Sequence, residues 1–451
     1  LTESVVLSLL ALPIALILMQ FVIPLAERLF QTRLYVINSN ILIYLSVYLL
    51  LTILCGVISG IYTSSYLSNL KVMDILARSA ASGKSKNYLR SSLIAIQLII
   101  FCSFVSCALV IRSQYRFAVN NDPGFNNKDI LLIDLDNSSN YHALIDGIRS
   151  NPDVVMAAGA IWGIPCMDYS ITLYQHFRDM ERKVPVEHFE VDYDFLKTMG
   201  VKVVEGRDFS RDFGNDMENS VILNQKAIKE LGLDDAVGKK LFNKTIIGVV
   251  DDFKIHSIHS DTPPLCICMS DKYIHQIAVH YRTGTLNTVL PELDSQWQKI
   301  VPGKPFSYTL IEDVFKEIYS SEKDLTGIVS VASLFILLIA AFGLFGLTLF
   351  IVSTRTKTIG IKKVFGSTER SIVCSFLKEN FRLVLFAAII SVPVTFYFMD
   401  KWLNNYSVRI DIRWWVFVVT FILASAVVLM TTFIHAYRAS RINPAEALKY
   451  E

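Results

Sequence analysis

Six apolar stretches of membrane-spanning length constrain this chain more than anything else in it. They cover residues 5–25, 41–62, 93–111, 328–352, 383–399 and 414–434, each close to the ~20 residues that a helix needs to cross ~30 Å of hydrocarbon. Inside lipid a backbone N–H or C=O finds no water, so each stretch must close its own hydrogen bonds as an α-helix. Hydrophobic residues make up 52% of the chain and the mean hydropathy is +0.42, more apolar surface than a water-soluble fold buries. The expectation is an α-helical membrane protein with about six visible spans. Residues 113–325, between the third and fourth spans, have ordinary soluble composition and are long enough for an inserted α+β domain.

Charge distribution sets the orientation. The loop after the second span carries Lys71, Arg78, Lys84, Lys86 and Arg90 against Asp74, and the loop after the fourth carries Arg355, Lys357, Lys362, Lys363 and Arg370 against Glu369. Lysine and arginine are retained on the cytoplasmic side, so both loops belong there, as does the tail with Arg438, Arg441 and Lys449. The opposite loops mix signs, Glu27 with Arg28 and Asp400 with Lys401. That parity puts residues 113–325 outside, and Trp414 with Trp415 suits an aromatic belt at the outer surface.

In the outer segment, length and β-branched content predict strands at 129–135, 154–161, 221–223, 245–250 and 277–281, and helices at 141–149, 193–199, 225–231 and 290–300. Residues 311–320 read as a helix running continuously into the fourth span, which would make a stalk. Cys266 and Cys268 alternate on a further probable strand and share one face, a poor geometry for bonding to each other. With Cys166 they leave an odd number outside, so no structural disulfide is expected; Cys55, Cys102, Cys107 and Cys374 read as small hydrophobes in or beside spans.

No catalytic constellation is visible. His256 and His259 lack a His-Glu-x-x-His frame, Asp251 with Asp252 is no ligand spacing, and a solvated surface is the expectation for these residues. Gly83-Lys84-Ser85 resembles the end of a phosphate-binding loop, but Arg78 stands where that loop requires glycine. The sequence therefore predicts no catalytic residue, no metal and no cofactor of its own, and ATP-driven work would need a partner. A net charge of +2 gives no reason to expect nucleic acid.

An internal repeat is the second organising feature. Leu1-Thr2-Glu3-Ser4 enters the first span as Leu377-Lys378-Glu379-Asn380 enters the fifth, and residues 70–76 after the second span match residues 442–448 after the last at nearly equal spacing. A duplicated unit of one span, an outer domain and three further spans is expected, with the rest of the first unit lying before Leu1.

The fourth span emerges into a segment where Ile361, Val364 and Phe365 recur at helical spacing beside Lys362 and Lys363. It predicts a short amphipathic helix ended by Gly366 in a left-handed cap. Such a helix either lies on anionic lipid or is gripped by a cytoplasmic motor.

Residues 355–367, with Arg355, Ile359, Gly360, Ile361, Lys362, Lys363, Gly366 and Ser367, resemble the Arg-x-x-Glu-Ile-Gly-Ile-Arg-Lys-x-x-Gly-Ala/Ser signature of FtsX-like, MacB-type ABC transporter permeases. Pro444, Glu446 and Leu448 are similar to that family's Pro-x-Glu-Ala-Leu tail. Val191 to Phe195, Gly200, Glu205 to Phe209, Val221 to Asn224 and Ile247 to Phe253 are similar to the MacB-like periplasmic core domain. One departure stands out, Thr358 in place of the signature's acidic residue.

The resemblance implies four parts: residues 1–90 as the last two spans and tail of a first FtsX-like half, 91–112 as a span, 113–325 as the periplasmic domain, and 326–451 as the FtsX-like permease domain. It implies a bacterial inner-membrane permease that binds no nucleotide itself and works with a separate cytoplasmic ABC ATPase, which would bind the ATP. Arg355, Lys357, Ile359, Gly360, Ile361, Lys362, Lys363, Phe365 and Gly366 would couple to that ATPase, and stalk helices would carry its movement outward. Export or extraction of a hydrophobic or peptide-like molecule is the implied function, with a periplasmic or outer-membrane protein as a further partner. A non-transporting permease that regulates a cell-wall hydrolase or sensor kinase is the alternative.

The orientation is checked by single cysteines in intact cells. Lys304→Cys should react with an impermeant maleimide directly, and Ser367→Cys only after the membrane is permeabilised.

Overall fold

The computed structural model describes residues 2–30, 41–68, 85–135, 140–165, 171–176, 183–241 and 243–441. In chain order, helices α1 (Thr2–Phe30), α2 (Ile41–Ser68) and α3 (Ser85–Asn120) lead into β1 (Ile130–Asp134), α4 (Tyr141–Arg149), β2 (Val154–Ala160), β3 (Ile171–His176) and β4 (Lys183–Val191). Next come α5 (Phe195–Met199), β5 (Val203–Gly206), α6 (Asp216–Asn219), β6 (Ser220–Asn224), α7 (Gln225–Leu231), β7 (Lys240–Leu241), β8 (Lys244–Val250), β9 (Leu265–Met269) and β10 (Gln276–Tyr281). The chain closes with α8 (Leu286–Ile300), β11 (Tyr308–Leu310), α9 (Ile311–Ile318), α10 (Ser320–Val364), α11 (Glu369–Leu403) and α12 (Trp415–Ser440). Among the described residues six helices, α1, α2, α3, α10, α11 and α12, are long and apolar enough to cross a membrane.

The chain divides into two compact units. One holds Leu1–Ile111, Lys323–Met399 and Ile412–Glu451; the other holds Arg112–Glu322 together with Asp400–Asp411, the loop between the fifth and sixth spans.

In the first unit, α3, α10, α11 and α12 share a core that includes Leu98, Phe101, Ala340, Leu344, Val384, Ala387, Ala424 and Val428. Small residues let these helices approach closely where lipid offers no hydrophobic drive to associate. Two polar pairs within the bundle answer each other: Ser106 and Thr420 share a hydrogen bond of 2.9 Å, and Asn380 Nδ2 donates to Thr432 Oγ1 at 2.9 Å. The first two helices pack on one another so tightly that a Cβ at Gly56 would stand 2.2 Å from Ser8 Oγ and 2.8 Å from Val5 Cα. Gly343 faces the Gln97 side chain, whereas around Gly346 nothing lies within 4 Å.

In the second unit the sheet runs β11-β1-β10-β2-β4-β9-β6-β8-β5, with β3 beside β4 and β7 beside β8. Its first four strands pair antiparallel, and α4 and α8 bury Tyr141, Leu144, Ile148, Val289, Leu293 and Trp297 on one of their faces. The other half is mixed, with parallel pairs β4/β9 and β6/β8, and α7 seats Ala227 and Leu231 on it. Between the halves β2 and β4 pair through one register position, Ala160 with Val191, framed by Ile161 N–H to Glu190 O and Asp192 N–H to Gly159 O, both 2.9 Å.

Two expectations need correction. Residues 311–320 are not one continuous stalk helix: Tyr319 (φ −103°, ψ 21°) interrupts it, ending α9 before α10 begins. Its ring is buried, and its hydroxyl accepts the Ile258 N–H at 3.0 Å, a fixed position that a straight helix would have to give up. The second is β4, a central strand that alternation did not reveal. Val184, Val186, Phe189 and Val191 are all buried, so both faces are covered and the pattern blurs around Pro185 and three charged residues.

The Glu205-Gly206-Arg207 turn of the outer domain has a structural explanation. Gly206 sits at φ +74°, where a Cβ would lie 2.2 Å from Ile247 O, so only glycine fits the bulge between β5 and β8. Arg207 then forks onto the buried Asp216 at 2.6 and 2.7 Å. Burial alone would raise the Asp216 carboxyl, but hydrogen bonds from Arg207, Ser220 and the Ser210 N–H outweigh it and hold it below the usual carboxylate range.

Removing the guanidinium should therefore cost about 2 kcal/mol, below the ~3–5 of a fully buried pair because Arg207 is part-exposed. A carboxyl lowered on folding contributes stability above its unfolded pKa of ~3.9 and loses it as pH falls through the lower folded value. Thermal unfolding should find Arg207→Met less stable at neutral pH and the gap to wild type closing below about pH 4.

Candidate functional site

The segment expected to meet a motor is built by two helix ends. Helix α10 stops in a Schellman turn: Gly366 N–H donates to Lys363 O at 2.9 Å, Ser367 N–H donates to Lys362 O at 2.9 Å, and Gly366 takes φ +85°. Two residues on, Thr368 Oγ1 accepts the Ser371 N–H at 3.3 Å and Glu369 follows in the first turn of α11, a favourable start for a helix. Phe365, Gly366, Ser367 and Thr368 thus make the entire elbow. The separate amphipathic helix expected here is instead the last turns of α10, an unbroken helix of 45 residues.

Within that stretch Arg355, Lys357 and Gly360 lie on the α10 backbone, and the side chains of Arg355 and Lys357 fall outside the described residues. Ile359 is buried in the bundle core. Ile361 and Lys362 are exposed and Lys363 is half-buried. Phe365 is 85% exposed, more than any other large hydrophobic side chain among the described residues. Beside the elbow a cavity of about 390 Å³ opens between Glu369, Arg370, Val373, Cys374 and Leu377 of α11 and Phe433 and Tyr437 of α12. The Arg441 guanidinium stacks 4.7 Å from the Tyr437 ring. Pro444, Glu446 and Leu448 lie outside the described residues. The elbow thus places an exposed phenylalanine close to Lys362 and Lys363 and beside a groove lined largely by apolar side chains.

A second cluster, which the sequence did not reveal, lies in the soluble unit where α10 begins. Glu322 is 4% exposed. Its Oε1 accepts from Tyr406 Oη at 2.9 Å and pairs with His259 Nε2 at 2.9 Å, and its Oε2 accepts from Ser321 Oγ at 3.0 Å. The His259 ring stacks on Tyr406 with centroids 4.4 Å apart. Burial pushes the Tyr406 hydroxyl up, and its bond to the Glu322 carboxylate pushes further the same way, so it stays a donor. His256 meets Glu187 at 2.9 Å. Both histidines were expected on solvated surface; His259 is indeed exposed and His256 is half-buried, and each pairs with a carboxylate.

Residues 330–444 match the family described as FtsX-like permease C-terminal. The macrolide export ATP-binding/permease protein MacB of Chromobacterium violaceum is 23% identical over 284 residues, covering 58% of this chain and 43% of that protein. The probable syringafactin export ATP-binding/permease protein SyfD of Pseudomonas syringae pv. tomato is 21% identical over 300 residues, covering 59% and 44%. The chain thus spans less than half the length of these curated relatives. Among solved structures, the periplasmic region of MacB from Actinobacillus actinomycetemcomitans aligns with 13% identity and a TM-score of 0.33, covering 44% of this chain and 96% of that one.

The Glu322 cluster carries its own expected outcome. Glu322→Leu leaves the buried Tyr406 hydroxyl without its acceptor, and should lower stability by about 2 kcal/mol. Tyr406→Phe removes one hydrogen bond and should cost about 1 kcal/mol, both read by thermal unfolding of the detergent-solubilised protein.

Proposed function

We propose that this chain, an FtsX-like permease of the MacB type, is a transmembrane component of an ABC transporter whose cytoplasmic ATPase grips the elbow after α10. A separate ATPase subunit binds and hydrolyses the ATP. Its closure pulls the cytoplasmic helix ends together, and the outer domain moves in response, driving export or outer-leaflet extraction of a hydrophobic or peptide-like molecule. The observation that carries this reading is Phe365: an 85% exposed phenylalanine on the end of a single helix of 45 residues, about 65 Å long at 1.5 Å per residue. Exposed aromatics of this kind anchor protein interfaces, where burial in a partner pocket yields most of the binding energy.

Mechanical transmission fits the bundle better than a pore. Helices α3, α10, α11 and α12 share a contiguous apolar cluster, and two of their buried polar pairs, Ser106 with Thr420 and Asn380 with Thr432, are turned to each other. A hydrophilic route would need polar side chains facing a cavity. The same mechanics would serve a signalling permease that drives a cell-wall hydrolase or sensor kinase. Deletion separates the two: altered accumulation of hydrophobic compounds or peptides supports transport, and a cell-wall or stress phenotype alone supports signalling.

Coupling is tested in the reconstituted complex with the ATPase. Phe365→Glu, and reversal of Lys362 and Lys363 to Glu, should lower permease-stimulated ATP hydrolysis at least tenfold, the loss of about 1.4 kcal/mol of interface energy. Insertion and melting temperature should stay near wild type, since an exposed side chain contributes within about 0.5 kcal/mol to folding. Normal hydrolysis and normal substrate movement in both variants would remove the motor contact from this elbow.

A further inference from the structure

On the second half of the sheet, three ligand-type side chains converge inside an otherwise apolar face. Cys266 and Cys268 alternate on β9, and His188 stands in register with Cys266 on the parallel neighbour β4, so all three project to the same side. Around them are Val184, Val186, Val221, Leu223, Ala227 and Ile246. The Sγ atoms of Cys266 and Cys268 are 3.8 Å apart, and His188 Nδ1 is 3.6 Å from Cys268 Sγ. One ligand atom from each of the three lies within 4.8 Å of the others.

These lengths have a specific meaning. Two sulfurs at ~2.3 Å from one tetrahedral ion are ~3.8 Å apart, and a sulfur and an imidazole nitrogen at ~2.3 and ~2.05 Å are ~3.6 Å apart. A disulfide would need ~2.05 Å between the sulfurs. Two buried thiols alone would read as packing, since cysteine behaves as a small hydrophobe. The histidine between strands does not fit that reading, because its other nitrogen, Nε2, meets Glu190 Oε1 at 3.1 Å. A carboxylate on the far nitrogen of a histidine fixes the tautomer that presents the near nitrogen to a metal.

We propose that His188, Cys266 and Cys268 form a zinc site in the extracytoplasmic domain, with Glu190 orienting the histidine. Both thiols lose their protons on binding, two per ion. The two thiolates neutralise Zn²⁺, so the ion with its cysteine ligands carries no net charge among the apolar side chains around it. Copper(I), the other ion that soft thiolates favour, would leave a net negative charge in the same apolar surroundings. Cys266 and Cys268 are almost fully buried, while the His188 and Glu190 side chains keep 18% and 16% exposure. Entry, and a water in the fourth position, therefore come from the histidine side.

The full chain, purified in detergent under reducing conditions and equilibrated with a buffered zinc solution, should hold about one zinc per chain by elemental analysis. Cobalt(II) in its place should show thiolate-to-metal charge-transfer absorption. Cys268→Ser and His188→Asn should lose the metal, and Cys374→Ser, whose thiol is exposed elsewhere, should keep it. Glu190→Gln retains all three ligands and should weaken zinc affinity about 10–100-fold against a chromophoric chelator; it decides the matter if the cysteine variants fail to fold. Background zinc in the folded wild type, stoichiometric copper instead of zinc, a Cys266–Cys268 disulfide, or an unchanged affinity in Glu190→Gln would each overturn the assignment.

Discussion

A carboxylate removed from water must be bonded or it will not stay charged, and Glu322 meets that demand by drawing distant segments together. Tyr406 reaches it from the loop between α11 and α12, His259 from the loop before β9, and Ser321 from the start of α10 itself. The same neighbourhood is fastened twice more. Gln114 near the end of α3, fully buried, donates to Val408 O at 3.2 Å and accepts the Ile410 N–H at 3.0 Å, and Ser407 N–H donates to Ile258 O at 3.0 Å. Residues leading out of α3, into α10 and out of α11 are in this way bonded into the soluble unit, which is why Asp400–Asp411 belongs to it. Cutting the bond from Tyr406 leaves a buried polar group behind, which makes the cluster costly to open there.

That fastening gives the long helix α10 its mechanical sense. Its first turn is held through Glu322, and its last turn ends at Gly366 in an elbow that presents Phe365. A helix is stiff along its axis, because every residue is hydrogen-bonded within it. In the proposed function, force applied at the elbow reaches the domain along this element. The joint of Ala160 with Val191 then has a role as well, since one register position is a thin connection between sheet halves. A metal tying β4 to β9 would stiffen the half on the far side of that joint.

The spans and many elements of the outer domain were legible because each is a local pattern. Twenty apolar residues, a β-branched run, or Asn224 before Gln225–Leu231 with its side chain on the Ala227 N–H can be read without knowing the fold. The functional clusters were not legible, for the opposite reason. Glu322 looks like any charge at the mouth of a span, and its partners Tyr406 and His259 lie 84 and 63 positions away along the chain. His188 reads as an ordinary polar residue in a strand whose alternation is blurred by burial on both faces, while its partners lie on β9. Gly366 was readable as a left-handed cap, but whether the helix before it stood alone or continued the span depended on packing of Ile359 into the bundle.

The central claim is that nucleotide events at the elbow are felt at the Glu322 cluster. Hydrogen–deuterium exchange of the assembled complex, with and without a non-hydrolysable ATP analogue, addresses it directly at the amides of Ile258, Tyr319 and Ser407. The account predicts that nucleotide changes protection at all three together. Protection at these amides that is the same with and without nucleotide, while the ATPase remains bound and active, would contradict it.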